Sequence, residues 1–124
     1  MKSKVYYVDG GCRNQGAANR ITWEGYGSFC DDEGHVTHFE LPQAATNNEA
    51  EYMALIELLK TLEADSSATI YTDSKLLIGH LQGDWKVRAK NLELLFLHAK
   101  VLLKHTKAHL SWVPRIQILW RLGH

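Results

Sequence analysis

Residues 46–62 read TNNEAEYMALIELLKTL, and this stretch decides the fold because it announces a helix carrying an acid on its apolar side. Thr46 stands three residues before Glu49, a capping-box pattern in which hydroxyl and carboxylate satisfy free amides of the first turn. Leu55, Leu58, Leu59 and Leu62 recur at helical spacing on one face, with Glu57, Lys60 and Glu63 on the other. Glu51, four residues before Leu55, falls on the apolar side. An uncompensated acid facing a core costs several kcal/mol, so Glu51 calls for a reason that Glu49, a capping residue, does not.

Outward from this helix the chain alternates short elements. Residues 4–8 (KVYYV) are rich in β-branched and aromatic residues and predict a strand ended by Asp9-Gly10-Gly11. Two further strands are expected near residues 25–30 and 35–41, separated by the turn-forming Asp31-Asp32-Glu33-Gly34, giving an antiparallel meander. After the helix, residues 68–72 (ATIYT) form a fourth strand. A short helix runs from Asp73-Ser74 to about Leu81 and breaks at Gly83. A longer helix is expected from about Leu92 to Lys104. A fifth strand, residues 108–113 (AHLSWV), ends at Pro114. Ten residues follow, enough for two helical turns at most. The order implies a single α/β domain over residues 1–124, with a five-stranded mixed sheet. Three strands are antiparallel, two are parallel and delivered by helical crossovers, helices flank the sheet, and the last helix is truncated or atypical.

Strands delivered through helical crossovers place ligand sites at their carboxyl ends, and Asp9 and Asp73 both occupy that position. Each has an ordinary reading as well: Asp9 as part of a turn, Asp73 as a helix N-cap. Buried carboxylates repel one another and lose hydration, so a cluster of Asp9, Glu51 and Asp73 survives only if a cation neutralises it. Oxygen-only ligands favour Mg²⁺ or Mn²⁺ over zinc.

With 124 residues, 45% hydrophobic and 23% charged, the composition is that of a globular domain. No stretch approaches a membrane span, and the N-terminus turns polar too early for a signal peptide, so no membrane role and a cytoplasmic location are expected. Cys12 and Cys30 are too few for a disulfide framework and form no C-x-x-C pair, which points to reduced thiols. The net charge of zero hides a polarity. Residues 1–74 hold five Lys/Arg against twelve Asp/Glu, and residues 75–109 hold seven against two, with four histidines added. An acidic cage beside a basic polyanion track fits this pattern, and so do solvated basic helix faces.

The segments YVDGGCRNQG (7–16), ATNNEAEYMALI (45–56), YTDSKLL (71–77), GDWKV (83–87) and SWVPR (111–115) together resemble ribonuclease H of type I, in the same order and with similar spacing over nearly the whole chain. The resemblance implies an endonuclease that hydrolyses the RNA strand of an RNA–DNA hybrid and leaves 5′-phosphate and 3′-hydroxyl ends. It implies two Mg²⁺ or Mn²⁺ ions about 4 Å apart, one activating water and one stabilising the departing oxygen. Asp9 would bridge both ions while Glu51 and Asp73 hold one each.

Substrate contacts are implied residue by residue. Asn47 and Asn48 match positions that touch minor-groove edges and RNA 2′-hydroxyls. Thr46 and the amide-rich turn around residues 13–16 match the grip on nucleic-acid backbone, and Gly10, Gly11, Cys12, Arg13, Asn14, Gln15 and Ser74 join the implied substrate-binding set. The family's asparagine six residues after the first aspartate is Gln15 here, with Asn14 just before it. Trp85 and Lys86 match a channel where a ring packs on deoxyribose and a cation meets phosphate; taken alone, Trp85 also reads as a core residue. Neither an N-terminal hybrid-binding module nor a long basic protrusion is expected. Lys86, Arg88 and Lys90 either replace part of the protrusion or form a solvated loop.

The pattern breaks at the end. Short members with WVPR place a fourth carboxylate ten residues after the tryptophan, which from Trp112 is Leu122, and the asparagine often seen earlier is Ile118. RIQILWRLGH holds no acid. Either the C-terminus is altered, or His124 or its terminal carboxylate stands in as a catalytic group, or the protein binds hybrid and cuts it weakly or not at all. A nuclease of this fold with another substrate is a further alternative, against which the two asparagines argue. The unit is expected to be a monomer, or a homodimer through the apolar tail.

Overall fold

The computed structural model describes residues 4–13, 24–44 and 46–123. Its elements are β1 (Val5–Arg13), β2 (Glu24–Asp31), β3 (Val36–Leu41), α1 (Asn47–Thr61), β4 (Thr69–Thr72), α2 (Lys75–Leu81), α3 (Lys90–Thr106), β5 (His109–Trp112) and α4 (Arg115–Leu122). The sheet order is β3-β2-β1-β4-β5. β1–β2 and β2–β3 pair antiparallel, while β1–β4 and β4–β5 pair parallel. This is the mixed sheet expected from the element order.

Alternation along the strands divides the core in two. Val8, Ile70 and Leu110 face α1, α2 and α3, where Leu55, Leu58, Leu59, Leu77, Leu81, Leu92 and Ala99 complete the larger cluster. Tyr7 points the other way and packs with Cys30, Val113, Ile118 and Leu122, so α4 closes the second face. Both cysteines are free and buried.

Three boundaries differ from expectation. β1 does not end at Asp9-Gly10-Gly11 but continues to Arg13, with Asp9 opposite Ser28, Gly10 opposite Gly27 and Gly11 opposite Tyr26. The glycines serve close approach in a paired strand rather than a turn. The N-cap of α2 is Ser74, whose hydroxyl accepts from the Leu77 amide at 3.1 Å, so Asp73 is released from capping. α3 starts two residues earlier and ends two later than the apolar pattern suggests, closing on Lys107 in the left-handed conformation.

The apolar tail is split. Ile118 and Leu122 pack into the chain's own second core, whereas Ile116 and Trp120 remain 70% and 83% exposed. Two turns of helix therefore do cover the sheet, which removes the reason for the whole tail to require a second copy. Among the described residues no helix is long and apolar enough to cross a membrane.

Candidate active site

Asp9 lies mid-strand in β1, 4% exposed, and alternation places it on the α4 side with Tyr7. Gly10 faces α1. A Cβ there would stand 2.3 Å from the Ala50 carbonyl oxygen, so only glycine lets the helix backbone rest on the strand. That contact delivers Glu51, the next residue of α1, beside Asp9. Asp73 follows β4, which runs parallel to β1 with Tyr7 opposite Tyr71 and so ends at the same place. One carboxylate oxygen from each of Asp9, Glu51 and Asp73 lies within 4.8 Å of the others.

The cluster is electrostatically loaded. Burial pushes Glu51 up from 4.5 to about 7, and the neighbouring Asp73 and Asp9 charges add to that, while a hydrogen bond from Ser74 and the charge of Arg115 work against it. Arg115, the first residue of α4, reaches back over the cluster. Its Nη1 lies 2.8 Å from Asp73 Oδ2 and 3.5 Å from Asp9 Oδ1, and its side chain is 55% exposed. The Trp112 indole N–H donates to the Asp73 carbonyl oxygen at 3.2 Å and steadies the same turn. Tyr26, paired with Gly11, also belongs to this neighbourhood: burial and then the Asp9 charge raise its phenol, and Arg115 lowers it.

This donor set fits a hard divalent cation. It is all oxygen and drawn from three elements. One member is held near neutrality by burial and by the others, so a cation would relieve repulsion rather than create strain. Neither Glu51 nor Asp73 is consumed by helix capping.

The expected substrate residues divide into groups. Asn47 is tied to β1, its Oδ1 accepting from the Cys12 amide at 2.7 Å, and the Cys12 thiol contacts the Ala44 carbonyl. Thr46 caps α1 by accepting from the Glu49 amide at 3.1 Å. Arg13 lies over the Tyr26 ring and between Glu24 and Glu40, at 3.9 and 3.7 Å. Asn48, Trp85 and Lys86 share a groove of about 590 Å³ with Leu76, His80, Asp84, Arg88, Ala89 and Leu92. Trp85 is 57% exposed, which corrects its reading as a core residue. Asn14, Gln15 and His124 lie outside the described residues.

Comparison with known proteins carries the assignment further. The family model for RNase H matches residues 1–124. A ribonuclease H of Campylobacter jejuni is 32% identical over 125 residues, covering 91% of this chain and 79% of the relative. The chain belongs to the ribonuclease H family. The Mycobacterium tuberculosis "bifunctional protein Rv2228c" is 36% identical over 119 residues, and the match takes in 31% of that protein, so the chain spans about a third of the length of this relative. The solved N-terminal RNase H domain of Rv2228c superposes with a TM-score of 0.73 at 29% identity, covering 96% of this chain and 88% of that one. An LC11 RNase H1 solved in complex with an RNA/DNA hybrid shares the fold, with a TM-score of 0.68 at 24% identity over 92% of this chain and 87% of its own.

At the positions where the resemblance led to an acid and an asparagine being expected, the structure places core residues. Leu122 is 2% exposed and Ile118 fully buried, both packed on Tyr7 and Cys30. The residue that sequence reasoning missed is Arg115. Its only signal was its place in WVPR, directly after Pro114, the N-cap of α4.

Proposed function

We propose that this protein is a divalent-metal-dependent endonuclease that hydrolyses the RNA strand of RNA–DNA hybrids and leaves 5′-phosphate and 3′-hydroxyl ends. The observation that carries the reading is the convergence of Asp9, Glu51 and Asp73, from three distant segments, to within 4.8 Å. Membership of the ribonuclease H family supplies the reaction class.

Asp9, Glu51 and Asp73 would hold Mg²⁺ or Mn²⁺, two ions when substrate is bound. Such ions supply Lewis acidity, lowering the pKa of a nucleophilic water and stabilising charge on the leaving oxygen. The protein's own part is preorganisation. Ser74 holds the Glu51 carboxylate, Trp112 fixes the Asp73 backbone, and Gly10 sets the distance between α1 and β1. Arg115, half exposed above the acids and paired with Asp73 and Asp9, would offer its guanidinium to a phosphate brought to the cluster. Asn47 and Asn48 read the 2′-hydroxyls from the start of α1, and Trp85 with Lys86 receives the DNA strand in the adjoining groove. All these groups come from one chain, so a monomer suffices.

The test is cleavage of a labelled hybrid with Mg²⁺ or Mn²⁺, set against single-stranded and duplex RNA. Internal cuts in the RNA strand of the hybrid, abolished in a folded Asp73→Asn protein, are the expected result. Retained cutting in that variant would place the activity elsewhere. The burial of Leu122 and Ile118 favours one second reading, a hybrid-binding domain of this fold that cuts weakly or not at all. It requires salt-sensitive binding with no product at excess Mn²⁺.

A further inference from the structure

His80 is a buried titratable group that none of the chemistry above uses. It is 7% exposed, near the end of α2, and three rings surround it. The Tyr52 phenol lies 2.7 Å from its Nδ1 with the two rings stacked at 24°. Trp85 meets it edge-on at a centroid distance of 6.5 Å and Phe96 of α3 at 6.3 Å. The residue before it is equally specific. A Cβ on Gly79 would stand 2.2 Å from Cδ2 and 2.4 Å from Cε3 of Trp85, so the indole rests directly on the helix backbone. The Trp85 amide closes the arrangement by donating to the Gly79 carbonyl at 3.2 Å. Tyr52, fully buried, follows Glu51 on α1.

We propose that His80 is a positioning residue for hybrid binding: held by the Tyr52 hydroxyl, it seats the Trp85 indole on Gly79, with the exposed part of the ring turned to the groove, and locks this platform to the helix that carries Glu51. A tryptophan on a loop otherwise samples many orientations, and ordering it at binding would weaken the grip. Here the ring is ordered beforehand by a glycine that admits it and a histidine that stops it from sliding.

The same arrangement is acid-sensitive. With the phenol as donor, Nδ1 must accept, which only the neutral imidazole can do. Burial keeps His80 below its ordinary pKa. The groups around it are Tyr52 from α1, the neutral Phe96 from α3, and, along the shared groove, Asp84, Lys86 and Arg88. Below the His80 pKa the Tyr52 bond as drawn is lost and the seat loosens.

This inference rests on the hybrid-nuclease reading, and the experiment separates the two. His80→Leu, Gly79→Ala and His80→Gln proteins are compared with wild type for KM and kcat on a hybrid. Trp85 emission is recorded from pH 5 to 8 as the difference from a Trp85→Phe protein. The expected result is a rise of about fivefold or more in KM with kcat changed less than twofold for His80→Leu and for Gly79→Ala, whose damage is independent of the imidazole. His80→Gln, whose amide oxygen can accept from Tyr52, restores most of the wild-type KM. Wild-type Trp85 emission changes on acidification, and in His80→Gln it does not. Wild-type KM in both His80→Leu and Gly79→Ala, or pH-independent Trp85 emission in the wild type, overturns the inference. Absence of any hybrid binding or cleavage by the wild type overturns the nuclease reading instead, and the emission profile still decides whether His80 seats the ring.

Discussion

Among the described residues, helices α1, α2 and α3 cover one face of the sheet and α4 covers the other, and the two faces bring opposite charge to the same cluster. From the first face α1 delivers Glu51, an acid that burial and its neighbours hold near neutrality. From the second, α4 delivers Arg115, a cation in contact with Asp73 and Asp9, and buries Leu122 in the smaller core cluster. The contrast teaches where this site keeps its function. The larger face holds an arrangement that is costly without a cation, which is the mark of a ligand site. The smaller face contributes packing and a guanidinium.

The comparison can be broken most severely at Asp9. Asp9→Asn removes the proposed metal ligand that lies mid-strand beside both Glu51 and Arg115 and should lower hybrid cleavage about a hundredfold or more in a steady-state assay, with circular dichroism unchanged. The next largest effect lies on the α4 side. Leu122→Asp places an acid where the sequence resemblance led one to be expected, yet Leu122 is packed on Tyr7 and Cys30, so the variant should lose roughly 4 kcal/mol in denaturant unfolding and gain no activity. A gain in cutting rate would show that α4 can swing its end into the site.

Glu51 supplies a third test, in pH. Its folded-state pKa, about 7, lies above the ordinary 4.5, so between these values the native state keeps a proton that the unfolded state has released. Stability of the metal-free protein should therefore fall as pH rises through that window, by at most about 3 kcal/mol from this group. Saturating Mn²⁺ should flatten the slope, and Glu51→Gln should remove it, as read from urea midpoints at each pH. The smallest effect belongs to Arg115→Met. Solvent screens this half-exposed guanidinium, so the metal-free variant should lose only about 1 kcal/mol. Its melting temperature should rise more on adding Mn²⁺ than the wild type's does, because guanidinium and metal compete for the same oxygens.

Much of this was legible from the residues. The capping box, the leucine periodicity and the order of apolar runs sufficed for α1 and for the mixed sheet, because those signals are local. Glu51 could be singled out for the same reason: its acid stands on a leucine face. Asp9-Gly10-Gly11 misled, since glycines after an aspartate read as a turn, and only the register with β2 and the pressure of Ala50 on Gly10 show a continuing strand. Trp85 stayed ambiguous because its seat, Gly79, lies on the preceding helix and looks like an ordinary helical glycine. Arg115 was invisible as a site residue because its partner Asp73 lies 42 positions away, and no local pattern links the first residue of a proline-capped helix to a carboxylate that follows another strand.

The most direct test of the central claim is Mn²⁺ binding in the absence of substrate, followed by electron paramagnetic resonance in the wild type and in Asp9→Asn, Glu51→Gln and Asp73→Asn proteins. The account predicts saturable binding by the wild type that each substitution weakens at least tenfold while the proteins remain folded. Equal Mn²⁺ affinity in the wild type and all three variants would contradict it.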